Sequence, residues 1–208
     1  MHTQSQYFSE PLGLATSGHL VFASGADGVT LRADRELLDL YRAHFEDHVP
    51  SVRVEGGRVT IQYGRLPFFD WLAHAREPLA DVTLNGSIPW EIEFHGGVSR
   101  LDADLSELAL RALDLSSASQ AALTLPQPSG AVFINVSGSV SDMTIHLPHG
   151  VPVRVRIDGG VSRLALDEQR WGAVGRGIHW QTPDYDSAAD RYDVSMVGSA
   201  SNLTIGVR

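Results

Sequence analysis

The chain has 208 residues, 43% hydrophobic and 20% charged, with no cysteine and a formal net charge of −9. That balance suits one globular folding unit, is too apolar for a disordered chain, and leaves neither disulfides nor thiolate metal sites to hold a fold. All sixteen basic residues are arginine and none clusters with aromatics, so the negative charge argues against nucleic acid and anionic membranes as partners.

No run approaches the roughly 18 apolar residues that a membrane-spanning helix needs. Met1 to Glu10 lacks the basic-then-apolar order of a secretion signal. With the absence of cysteine, this makes a cytoplasmic location the expectation.

Leu20–Ala23 and Val29–Leu31 alternate around Ser24-Gly25-Ala26-Asp27-Gly28, which reads as a hairpin. Asp34 then reads as the cap of a helix running to about Asp47, with Leu37, Leu38, Tyr41 and Phe45 on one side and Pro50 beyond its end. His44 and His48 stand four apart on that helix, which is metal-ligand spacing, although Phe45 occupies the place where a zincin carries glutamate. Val52/Val54 and Val59/Ile61/Tyr63 flank Glu55-Gly56-Gly57-Arg58 as strand, double glycine, strand. Pro67-Phe68-Phe69-Asp70-Trp71-Leu72 reads as a core plug or a partner surface.

Five later segments share one form: a small-residue turn followed by alternating apolar residues. They start at Gly96, Ser116, Gly138, Gly159 and Gly198, spaced 20, 22, 21 and 39 residues apart. Alternating rows such as Val153/Val155/Ile157 before a turn and Met143/Ile145/Leu147 after it predict strands with one buried face. A unit of this size cannot bury its apolar row alone, so the units must stack.

The near-constant period favours a β-solenoid, with Ser99, Ser119, Ser141, Ser162 and Ser201 in a column; a sandwich of antiparallel hairpins is the alternative. The simplest reading of the serines is corner chemistry. The fold class expected is therefore all-β, a single-domain β-solenoid-like repeat with one N-terminal helix. Residues 1–89 form the helix-bearing segment and 90–208 the repeat, within one folding unit.

The double-length gap holds an insertion, Arg170 to Asp190, with Trp171, Gly172, Gly175, Gly177, Trp180 and the acidic Asp184-Tyr185-Asp186. Long loops on a repetitive scaffold carry recognition, so Trp171, Trp180, Asp184, Tyr185 and Asp186 are the ligand-binding candidates. Asp184, Asp186, Asp190 and Asp193 lack the glycine and glutamate of an EF-hand loop, and His146 and His149 have no supporting ligand pattern. No cysteine nucleophile, Gly-x-Ser-x-Gly elbow or phosphate-cradling loop is present. Asp102 and Asp104 would share an outward face, the one pair that could serve glycoside chemistry. No catalytic residue, cofactor or metal is expected beyond the His44/His48 pair.

At Gly96–Leu105, Gly138–Pro148 and Gly159–Leu166, the pattern Gly-Gly/Ser-Val-Ser-x-Leu/Met resembles bacterial putative-adhesin domains of unknown function. It is also similar to the toast-rack domains of cell-wall-active antibiotic response proteins. The resemblance implies a non-enzymatic β-solenoid-like domain linked to envelope stress or adhesion. The expected role is a scaffold binding a protein or glycan partner, or associating with itself; the alternative is a carbohydrate-active enzyme using surface carboxylates.

Overall fold

The computed structural model describes residues 5–46, 48–64, 79–167 and 169–207. The aromatic stretch Pro67–Leu72 lies outside them. Among the described residues there are seventeen strands and no α-helix. The strands are β1 Ser5–Pro11, β2 Gly18–Phe22, β3 Ala26–Asp34, β4 Asp39–Glu46, β5 Ser51–Glu55, β6 Arg58–Gln62, β7 Leu79–Asn85, β8 Pro89–Asp104 and β9 Ala109–Thr124. They continue as β10 Ala131–Val136, β11 Val140–Leu147, β12 Val153–Ile157, β13 Val161–Leu166, β14 Gln169–Trp171, β15 Ile178–Gln181, β16 Arg191–Met196 and β17 Ala200–Val207.

The strands form two ladders. One runs β5-β6-β2-β8-β9-β10-β16-β12-β15 and the other β1-β4-β7-β3-β8-β9-β11-β17-β13-β14. Their middles are parallel, and antiparallel strands finish each end. The sixteen-residue β8 and β9 pass through both ladders, so the whole is one open 17-stranded sheet. Apolar rows of both ladders, such as Val132/Ile134/Val136 and Met143/Ile145/Leu147, meet in a single core.

The all-β expectation stands; the helix does not. Residues 39–46 are strand β4, antiparallel to β1 and β7. The residues that suggested a helical stripe also satisfy period two, since Tyr41, Ala43 and Phe45 are all buried, while Leu38 is 84% exposed. Asp34 does cap a backbone N–H, that of Glu36 at 2.8 Å, but it caps a tight turn between β3 and β4. Two strands competing for the same segment outweigh its local helical pattern.

Two further corrections concern topology. β2 and β3 do not pair with each other as a hairpin; each lies parallel to one half of β8. Nor do the layers follow chain order, as a solenoid of successive coils requires. β16 and β17 lie between β10–β11 and β12–β13, pairing with both neighbours.

At the bend between ladders the burial alternation slips in each unit. Two successive residues face outward, as in Val140-Ser141-Asp142-Met143, where only the first and last are buried. The same buried, exposed, exposed, buried pattern recurs at Val98–Leu101, Ala118–Ala121 and Val161–Leu164. A residue added to the outward side at the same level in each layer turns the chain from one ladder to the other. The turns come so close that a Cβ on Gly198 would collide with the carbonyl of Gly138 in the adjacent layer.

Trp90 and Asn85 close the core beside these layers. A Cβ on Gly18 would overlap the buried Trp90 ring, whose Nε1 donates to the Asn85 carbonyl at 2.8 Å. The fully buried Asn85 side chain donates to the carbonyls of Leu37 and Asp39 and accepts from the Ser87 N–H and hydroxyl. All its hydrogen-bonding capacity is used, which is what makes its burial tolerable.

Candidate functional site

The outward bend builds a polar surface layer by layer. Val98, Ala118, Val140, Ala200 and Val161 are in register, as are Arg100, Gln120, Asp142, Asn202 and Arg163. Between these two rows lie Ser99, Ser119, Ser141, Ser201 and Ser162, all exposed. The spatial order is the pairing order, with Ser201 before Ser162. This order places unlike polar groups side by side: Asn202 donates to Asp142 at 3.0 Å, and Arg163 donates to Asn202 at 3.3 Å.

The surface ends in a hollow on each side. One, of about 220 Å³, is bordered by Asp27, His48, Tyr63 and Ser99. The other, of about 470 Å³, is bordered by Ser139, Ser141, Ser162, Ser199 and Ser201, with Ala173 and Val174 of the insertion. Val174 reaches it because its backbone exchanges hydrogen bonds with Val161 at 2.7 and 3.0 Å.

The insertion is built onto the end of the stack. β14 pairs with β13, placing the partly exposed Trp171 opposite Leu164; β15 pairs with β12, placing the half-buried Trp180 opposite Val155. The two tryptophans thus belong to different ladders. Asp184 and Asp186 are exposed, Asp186 accepting from Gln181 at 3.0 Å. Tyr185, in a single 3-10 turn at Tyr185–Ser187, is 2% exposed and its hydroxyl donates to Asp193 at 3.0 Å.

Asp193 is the centre of this anchor. Its side chain is 4% exposed on β16 and receives Arg154 at 2.5 Å and Arg156 at 3.0 Å, both from β12. The Arg154 guanidinium also lies over the Tyr185 ring, 4.4 Å from its centroid. Burial alone would raise the Asp193 carboxyl. Hydrogen bonds from Arg154 and Tyr185, with the charges of Arg156 and Arg154, outweigh it and hold the carboxyl below its ordinary range. The Tyr185 phenol is pushed up, first by burial and then by donating to Asp193. Asp190 is likewise structural, accepting from the Gly130 N–H at 2.6 Å.

The other sequence candidates are dispersed. His44 lies on strand β4 and stacks on Tyr7, with ring centroids 4.3 Å apart; His48 lies beyond that strand and stacks on Tyr63. The helical geometry that related the two is absent. No group of three or more metal-ligating side chains occurs among the described residues. Asp102 and Asp104 are both exposed on β8, and Asp104 accepts from the Ser106 N–H and hydroxyl as a turn residue.

Sequence reasoning passed over a second polar cluster. Glu93 is hydrogen-bonded to His19 at 2.7 Å and His95 at 2.6 Å, and Arg58 contacts His19 Nδ1 at 2.9 Å. An arginine donates only, so His19 Nδ1 accepts and Nε2–H donates to Glu93. Burial raises the Glu93 carboxyl, but hydrogen bonds from His95 and His19 prevail and lower it. The residues come from β2, β6 and β8, and no local motif could have joined them.

No protein-family model and no curated protein matches the sequence. Among solved structures, the chain is similar over its whole length to a putative cell adhesion protein from Clostridium sporogenes, with both chains 100% covered, 18% identity and a TM-score of 0.79. A putative adhesin from Bacteroides fragilis covers 100% of this chain and 97% of its own at 8% identity, but its TM-score is 0.34. One from Parabacteroides merdae, at 7% identity and coverage of 99% and 96%, has a TM-score of 0.25. The first likeness shows a shared all-β fold.

Proposed function

We propose that this chain is a non-catalytic recognition domain of the adhesion type, presenting the bend and the adjoining insertion to a protein or glycan partner. The observation that carries this reading is the bend itself, where exposed serine, amide and charged side chains are held in register over five layers. A rigid sheet fixes the spacing of these groups before any partner arrives, so little ordering entropy is lost on binding. The full-length fold likeness to a protein described as a putative cell adhesion protein supports the same reading.

The test is biolayer interferometry of the immobilised full chain against purified cell-wall polysaccharides, mucins and extracellular-matrix proteins. Saturable binding that weakens in Gln120→Ala, Asn202→Ala or Trp171→Ala is expected. No saturable binding to any of them overturns the reading. Release of new reducing ends from a polysaccharide, abolished by Asp102→Asn or Asp104→Asn, replaces it with the enzymatic alternative.

A further inference from the structure

Away from the bend, the outward face of the first ladder carries one large exposed aromatic ring. In β10, Val132, Ile134 and Val136 face the core and Phe133 faces out, 47% exposed. Its register partner on β9 is Ala112, and the partner of Ala112 on β8 is Glu91. An aromatic ring, a methyl and a carboxylate thus stand in one row across three strands, spaced by about 4.8 Å per strand. Alanine in the middle leaves a hollow of about 420 Å³, also bordered by Arg111 and Ser129.

Arg111 reaches this rim because of a bulge. Trp90 pairs with Leu110 and Glu91 with Ala112, so Arg111 is an extra residue without a partner in the register. Bulges redirect side chains and concentrate near working sites. Among the described residues neither Glu91 nor Arg111 takes part in a side-chain hydrogen bond or ion pair. The hollow therefore combines an apolar ring, one acceptor group and one donor group on a parallel sheet, neither polar group having a side-chain partner among the described residues.

We infer that this hollow is a sugar-binding subsite, taking one pyranose ring with its C–H face on Phe133 and its hydroxyls toward Glu91 and Arg111. The inference rests on the proposed recognition function and names a glycan as its partner. Its volume falls in the range of small-ligand pockets. An apolar plug from a protein partner fits less well, because it would leave the carboxylate and the guanidinium desolvated without partners.

The experiment is a glycan array printed with neutral hexopyranosides and N-acetylhexosaminides, probed with the full chain and its variants. The wild-type chain is expected to bind at least one sugar class. Phe133→Ala is expected to weaken that binding about tenfold or more, the scale of losing a central aromatic anchor. Arg111→Ala weakens it less, and Phe133→Tyr retains it. Thermal unfolding of Phe133→Ala should match wild type, since the ring is half exposed. Sugar binding that survives Phe133→Ala, or no binding to any printed sugar, overturns the inference. Binding lost only in Gln120→Ala or Asn202→Ala leaves the recognition reading in place and removes this subsite.

Discussion

Two glycine-rich turns look alike in the sequence and do opposite work. At Gly56-Gly57 the chain reverses: φ is +54° and +87°, and β5 and β6 pair as an antiparallel hairpin. At Gly198-Ser199 neither residue has positive φ, and the chain moves on from β16 to β17 while both strands stack in parallel on the neighbouring layer. Gly56 supplies only a backbone conformation that other residues adopt at a cost, while Gly57 adds to its positive φ a close approach to the Ser17 carbonyl. Gly198 instead supplies an absence of volume, because the Gly138 carbonyl occupies the place of its Cβ. A glycine in a repeated motif can therefore report a neighbouring layer rather than a turn type.

The sharpest way to break this comparison is to add one carbon at each site. Gly198→Ala must displace backbone in the adjacent layer, and a loss of about 3 kcal/mol or more, or failure to fold, is expected in urea denaturation. Gly56→Ala meets nothing within 4 Å and bears only the positive φ, so about 1 kcal/mol is expected. Equal losses at the two sites would remove the distinction.

Between these extremes lie the polar groups that lock the layers. Asp193→Ala leaves two arginines without their carboxylate, and about 2–3 kcal/mol is expected, reduced from a fully buried pair because Arg156 is 42% exposed. The Asp193 carboxyl is lowered on folding, so its contribution is complete above the unfolded carboxylate pKa of about 3.9 and is lost as pH falls through the lower folded value. The wild-type and Asp193→Ala unfolding midpoints should converge in acid. Asn85→Ala should cost about 2 kcal/mol by stranding the Leu37 and Asp39 carbonyls. Ser141→Ala, at the exposed bend, should stay within about 0.5 kcal/mol by the same denaturation.

Strand rows were legible because period two is a local signal: Val153/Val155/Ile157 and Met143/Ile145/Leu147 are buried as their alternation required. Segment 34–47 misled because its leucines and aromatics fit both periods, and the deciding partners, β1 and β7, lie far away in the chain. The order of layers was equally hidden, since nothing in β17 names β11 and β13 as its neighbours. At the insertion, the sequence marks Tyr185 as a recognition residue but carries no sign of the buried Asp193 to which its hydroxyl donates. Phe133 was readable in principle, as the one aromatic in the outward phase of an otherwise clear strand.

The placement of β16 and β17 between strands made earlier has a consequence for synthesis. When β12 and β13 have emerged from the ribosome, the layer that must separate them from β10 and β11 has not yet emerged. At about 5–20 residues per second, two sets of bare strand edges wait on the order of seconds for it. During that interval a strand pair from another nascent copy offers the same hydrogen bonds as the chain's own, so closely spaced ribosomes on one message compete with correct closure.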